Sequence, residues 1–141
     1  MKERYDYILI DCPPTPSVWM TSGLLASDYY VIPVKPEPLS KYGLDLFRGL
    51  VKRVIENHGH QVDNAGIILT MVEENTTVYR DTKKYLEDSD EWREKLFNYR
   101  LLKRTAIARG QQDQSLMLDI SDELRQIIVN LTQEFQRRVE G

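Results

Sequence analysis

The chain has 141 residues, with 41% hydrophobic and 29% charged side chains and a formal net charge of −3. That is the length of one domain, with enough apolar material to build a core unaided, so collagen-like, disulfide-scaffold and wholly disordered classes are excluded. Cys12 is the single cysteine, which forbids an intrachain disulfide and fits a reducing cytoplasm; no run of about 18 apolar residues exists to span a membrane, and residues 1–6 lack signal-peptide anatomy. The slightly acidic balance gives no global nucleic-acid signature, although a local basic patch is compatible with it.

In chain order, residues 5–11 (Y-D-Y-I-L-I-D) read as a strand buried on both faces, closed by an acid. Pro13, Pro14 and Pro16 then force an irregular loop. Residues 17–27 read as a short helix and residues 28–34 as a second buried strand, with Pro33 placing it at an edge or terminus. Ser40 is a candidate cap for a helix whose stripe is Leu44, Phe47, Val51, Val54 and Ile55 and which Gly59 stops. Residues 65–72 read as a third strand, followed by a helix capped by Asn75 or Thr76 and ending near Asp88. Residues 96–99 have the pattern of a short strand, residues 105–112 read as loop or short helix, and Ile120, Leu124, Ile127, Ile128, Leu131, Phe135 and Val139 stripe a long terminal helix. Alternating strands and helices predict a single α/β domain over 1–141, with a mostly parallel sheet flanked by helices. Ligands of such sheets bind beyond the carboxyl ends of the strands, which is where Asp11 falls.

The run Tyr7-Ile8-Leu9-Ile10-Asp11 has the Walker B pattern, in which a strand end fixes a carboxylate for Mg²⁺ beside phosphate oxygens. The same residues equally describe a strand-end acid that caps its loop. His58-Gly59-His60 is a poor ligand set and reads as a polar loop, and Trp19 and Trp92 read as packing residues.

Several segments in order point further. Y-D-Y-I-L-I-D-C-P-P resembles the Walker B and switch II segment of the ParA/MinD family of deviant-Walker ATPases. Residues 20–28 (M-T-S-G-L-L-A-S-D) are similar to that family's N-A-L-x-A-A-D helix, and residues 31–38 (V-I-P-V-K-P-E-P) to its V-I-P-V-x-x-E strand and loop. Residues 39–44 fit L-x-x-x-G-L, and residues 66–70 match the strand that follows. The resemblance covers the first half of the chain. It implies a P-loop NTPase fold of the deviant-Walker type and a role in chromosome or plasmid partitioning, through an ATP-dependent DNA-binding dimer. It implies ATP and Mg as cofactors of an intact member, with Asp11 serving Mg through water. Cys12, Pro13 and Pro14 are placed in the switch that senses the γ-phosphate. It also implies a ParB-like stimulating partner and nonspecific DNA contact from the basic stretch containing Arg100, Lys103, Arg104 and Arg109; a solvated face balancing the acidic residues 87–91 is the other reading of those charges.

Neither G-x-x-x-x-G-K-[ST] nor the family's K-G-G-x-G-K-T occurs in the sequence. The P-loop supplies most of the phosphate contacts, so the chain reads as the C-terminal portion of such an ATPase, with no catalytic residue of its own. It is not expected to hydrolyse ATP or bind it tightly alone. The strand at residues 5–11 is then expected to expose an edge, which predicts a homodimer or pairing with a missing N-terminal half. A P-loop-less regulatory or docking partner of a full-length ParA-like ATPase, or a related ATPase for cargo positioning, is the alternative. The terminal helix, with mixed charges and a continuous packing stripe, reads as core-docking, which favours the partitioning branch over a membrane-binding one.

Overall fold

A computed structural model describes residues 4–13, 15–104 and 116–141. The elements are α1 (Val18–Ala26), β1 (Tyr29–Val34), α2 (Ser40–His58), β2 (Asp63–Leu69), α3 (Thr77–Asp88), a 3₁₀ turn at Arg93–Lys95, α4 (Met117–Ile120) and α5 (Asp122–Glu140). The mixed α/β class expected from the sequence is what is found, with parallel strands flanked by helices.

β1 and β2 pair in parallel, Tyr29 opposite Asp63 through Val34 opposite Leu69. Parallel neighbours need a crossover, and α2 supplies it. α2 buries Leu44, Val51 and Val54, with Phe47 and Ile55 half-buried, as the stripe predicted, and stops at Gly59 in the left-handed conformation (φ 63°). The register slips between Tyr30 and Val31, where Ala65 is the extra residue on β2. Gly66 follows it with φ 143°, and a Cβ there would lie 2.5 Å from the Lys95 carbonyl oxygen and 2.6 Å from the Phe97 ring. Only glycine admits that backbone and that approach.

β2 strands the centre of the structure. On its side away from β1, the Phe97 N–H donates to the Ile67 carbonyl (2.9 Å) and the Leu101 N–H to the Leu69 carbonyl (2.9 Å). The strand expected at residues 96–99 is therefore realised as single parallel bridges, Ile67 with Leu96 and Val72 with Leu102. One core gathers Val34, Leu44, Ile67, Leu69, Val72, Tyr79, Leu86 and Trp92; a second gathers Met20, Leu24, Val51, Val54 and Val62 between α1 and α2.

Four local expectations change. Residues 5–11 form no ladder among the described residues and expose Tyr5, Tyr7, Ile8, Leu9 and Ile10, Leu9 at 84%. A strand needs a backbone partner within hydrogen-bonding reach, and β1 stands across a cleft from this segment. Ser40 does not cap α2: its hydroxyl accepts from the Glu37 N–H and donates to the Lys35 carbonyl, both at 2.8 Å, so it fastens the preceding loop. β2 starts at Asp63 and stops at Leu69, because Met71 turns into positive φ (51°) and ends the extended run. Trp92 is buried as read, but Trp19 is 75% exposed on the outer side of α1. Thr76 caps α3 and Ser121 caps α5, each hydroxyl accepting a backbone N–H of the first turn.

α5 docks as a core helix through Leu124 and Leu131 and carries a buried charge, Glu134 (3% exposed). Glu134 accepts from the Asn98 backbone N–H and from Asn98 Nδ2 (3.1 Å each), and from Arg138 Nη2 (2.9 Å). Arg138 also donates to the carbonyls of Ala65 and Leu96 and lies over the Phe97 ring, 4.4 Å from its centroid. The pair locks α5 onto β2 and the 96–98 segment. Arg138→Met strands the Glu134 carboxylate in the core and is expected to cost about 3–5 kcal/mol in urea unfolding, whereas adding Glu134→Leu restores part of that loss. A double variant no more stable than the single one contradicts this account.

Candidate functional site

The predicted functional edge begins where residues 5–11 meet α1. Ser17 caps α1, its hydroxyl accepting from the Met20 N–H at 3.3 Å. One turn on, Gly23 lies so near residues 10–12 that a Cβ would fall 2.6 Å from Cys12 Sγ. The missing side chain lets α1 press on the end of the extended segment. Cys12 is half-buried beneath the helix, while Asp11 and Pro13 are exposed. Pro14 lies outside the described residues.

Residues 11–13 line one wall of an apolar cleft of about 1360 Å³. β1 lines the opposite wall, and Lys35, Glu37 and Ser40, from the loop after β1, also line it. The carboxyl-terminal residues of two extended segments thus open into one cleft, the placement that α/β sheets use for ligands. Lys35 pairs with Glu37, whose hydrogen bond raises the ammonium above its ordinary pKa. Sequence reading treated Ser40 as a cap; the loop-fastening Ser40–Glu37–Lys35 contacts depend on a turn that local patterns do not reveal.

Asp11 makes no hydrogen bond or ion pair among the described residues, so its carboxylate is available to a ligand. Among the described residues no cluster of three His, Cys, Asp or Glu side chains stands ready to hold a metal. One carboxylate suits Mg²⁺, which keeps several waters and takes its remaining oxygens from phosphates, and does not suit a metal needing an all-protein cage. His58, the last residue of α2, contacts the Val54 carbonyl (3.1 Å), and His60, in the loop beyond Gly59, contacts that of Ser27 (3.0 Å).

The basic residues fall elsewhere, each beside a glutamate. Arg100 pairs with Glu74 and stacks over Tyr79 at 5.9 Å, Lys103 pairs with Glu73 at 2.8 Å, and Arg104 meets Glu123 through both guanidinium nitrogens. The hydrogen bonds that Arg100 donates to Glu74 and Arg104 to Glu123 raise the pKa of both arginines, and Arg104 in turn lowers that of Glu123. Arg109 lies outside the described residues. The three described cations are therefore locally neutralised, and none of them lines the cleft that holds Asp11.

Residues 1–64 match the family described as AAA domain. The chain is 36% identical over 92 residues to the sporulation initiation inhibitor protein Soj of Bacillus subtilis, a stretch covering 62% of this chain and 36% of that protein. It is 34% identical over 84 residues to the chromosome-partitioning ATPase Soj of Treponema pallidum, covering 60% and 33%. Over 141 residues it is 24% identical to the virulence plasmid ParA family protein pGP5-D of Chlamydia psittaci, covering 99% of this chain and 52% of that protein. The matches thus span about a third to a half of these relatives' lengths. Parallel strands, crossover helix and AAA-domain match define the class as α/β of P-loop NTPase type. Within it, the chain is similar over part of their length to ParA/Soj-like partitioning ATPases. Among the described residues no helix is long and apolar enough to cross a membrane.

The Arg104–Glu123 pair gives a signed pH effect. Glu123 has its pKa lowered in the folded chain. Its contribution is therefore present above the unfolded value, about 4.3, and is lost as pH falls through the lower native value. Glu123→Gln is expected to flatten the acid side of the stability profile while the neutral-to-alkaline side keeps its shape, as read from urea midpoints across pH. An unchanged acid limb speaks against the pairing.

Proposed function

We propose that the chain supplies the Walker B and switch II portion of a ParA-like partitioning protein, working within an ATP-dependent, DNA-binding dimer. The observation that carries this reading is Asp11: an exposed carboxylate, with no hydrogen bond or ion pair among the described residues, at the end of an apolar extended segment, lining the cleft beside the loop after β1. Its place within the family's motif order supports the same role.

Mg-ATP, bound by an intact family member, supplies the phosphoryl chemistry. Asp11 would hold the Mg²⁺ of bound Mg-ATP through its water shell, and the ion would supply charge neutralisation at the phosphate oxygens. Cys12 and Pro13 form the moving part. Proline restricts the loop to few conformations, and the close contact of Cys12 with Gly23 leaves no slack, so displacement of residues 12–13 is passed to α1. Pro14 belongs to the same switch by the family motif. DNA contact through Arg100, Lys103, Arg104 and Arg109 requires each described cation to exchange a glutamate for a phosphate. Such binding is weak at physiological salt and steeply salt-dependent. A ParB-like partner that stimulates hydrolysis belongs to this reading.

Calorimetric titration of Mg-ATP into the chain is expected to give no binding heat, because the sequence carries no P-loop. Joining a P-loop-bearing N-terminal portion from a family member is expected to create ATP hydrolysis that Asp11→Ala lowers by about a hundredfold or more. Saturable binding by the chain alone, or hydrolysis indifferent to Asp11→Ala, overturns the reading.

A further inference from the structure

The segment that leads to Asp11 has few contacts to hold it. Residues 5–11 have no ladder partner among the described residues, and Tyr7, Ile8, Leu9 and Ile10 are all exposed. On one side, Ile10 and Cys12 approach Gly23 of α1, where a Cβ would lie 3.7 Å from Ile10 Cγ2 and 2.6 Å from Cys12 Sγ. Tyr7 reaches a different helix. Its hydroxyl donates to Glu140 Oε1, and its ring meets Phe135 edge-on with the centroids 6.0 Å apart. Alternate residues of an extended chain point to opposite faces, so Ile10 and Cys12 share one face while Tyr7 and Asp11 share the other. A contact at Gly23 alone leaves the segment free to roll about its own axis. A second contact on the opposite face, four residues before Asp11, removes that freedom and sets the side from which the carboxylate projects.

The helix that Tyr7 reaches is firmly seated there. Phe135 and Glu140 flank Arg138 along α5, and Arg138 donates to the carbonyls of Glu94 (3.1 Å) and Leu96 (2.9 Å). Glu134, next to Phe135, accepts from the Asn98 backbone N–H at 3.1 Å. This part of α5 is therefore tied to the segment that borders β2. Phe135 and Glu140 also line the cleft that Asp11 lines. The hydrogen bond to Glu140 holds the Tyr7 phenol above its ordinary pKa; Asp6 of the same segment adds to that, and Gln136 of α5 opposes it.

We propose that Tyr7 is a positioning residue for Asp11, with Phe135 and Glu140 of α5 as the anchor it works through. The ring contact supplies most of the restraint, and the hydrogen bond fixes the direction of the ring. A continuous line of contacts then runs from the 94–98 segment through α5 and Tyr7 to the carboxylate at the cleft. Tyr7 acts through Asp11 and needs no contact of its own with metal or nucleotide. The use made of Asp11 rests on the nucleotide reading; the anchor rests on the contacts alone.

Magnetic resonance on the full chain, without nucleotide, tests it with Tyr7→Leu, Tyr7→Phe and Glu140→Gln. Tyr7 and Glu140 are exposed, so none of these changes disturbs the core, and the far-UV spectrum and urea midpoint check that each variant is folded. The backbone order parameter at Asp11 is expected to be about 0.85 in the unaltered chain and below about 0.6 in Tyr7→Leu. Tyr7→Phe keeps the ring on Phe135 and is expected to restore most of that order. With tyrosines labelled at Cζ, the Tyr7 resonance is expected to titrate above the ordinary value of about 10 and to move back towards it in Glu140→Gln. An Asp11 order parameter unchanged in Tyr7→Leu overturns the proposal and leaves α1 as the holder of the segment. Order lost equally across α1 and β1 overturns it too, since Tyr7 is then a general packing residue. A Tyr7 titration that Glu140→Gln does not move removes Glu140 from the anchor and overturns it in the form given. None of these measurements involves ATP, so hydrolysis indifferent to Asp11→Ala sinks the nucleotide reading and leaves the anchor standing.

Discussion

The parallel pairing of β1 with β2 obliges the chain to do three things at once: cross back over the sheet, cover both faces of β2, and satisfy the edge on each side of the pair. α2 makes the crossing and covers one face. The 96–103 segment meets the second edge of β2 with two backbone hydrogen bonds, at Ile67 and Leu69, and makes two more with Val72 beyond the strand's end. The bulge at Ala65 and the open conformation of Gly66 let that segment and Phe97 come close. Glu134 and Arg138 then tie α5 to the same place. A buried ion pair is a weak source of net stability, but here Arg138 also serves backbone carbonyls that would otherwise be stranded, so its geometry specifies where α5 sits.

The third requirement goes unmet on the outer edge of β1. Residues 5–11 have the composition of a buried strand and the environment of an exposed one, and the apolar cleft between them and β1 follows from that mismatch. The same mismatch places Asp11. The segment is held by α1 at Gly23 and by Tyr7 against α5, and its terminal carboxylate makes no hydrogen bond or ion pair among the described residues.

Charge behaves differently from shape here. Arg100, Lys103 and Arg104 look like a basic stretch along the chain, but Glu73, Glu74 and Glu123 arrive from other elements and neutralise them one by one. Exposed pairs of this kind contribute little to stability and are screened by salt, so they are exchangeable, and a phosphate is a competent replacement for a carboxylate. Linear charge therefore locates cations without giving the field they produce.

The α/β class, the crossover helix with its stripe and glycine stop, a cap of α3 at Asn75 or Thr76 and the motif order around Asp11 were legible in the residues, because each depends on local periodicity, capping chemistry or a short spacing. Whether residues 5–11 were paired, whether Ser40 capped a helix or fastened a loop, where Trp19 pointed and which glutamate faced each cation were not legible. Those outcomes turn on which distant backbone or side chain comes within hydrogen-bonding range. An apolar run states that a strand seeks neighbours on both sides; it takes the folded arrangement to show that, among the described residues, this run has no ladder partner and faces β1 across a cleft.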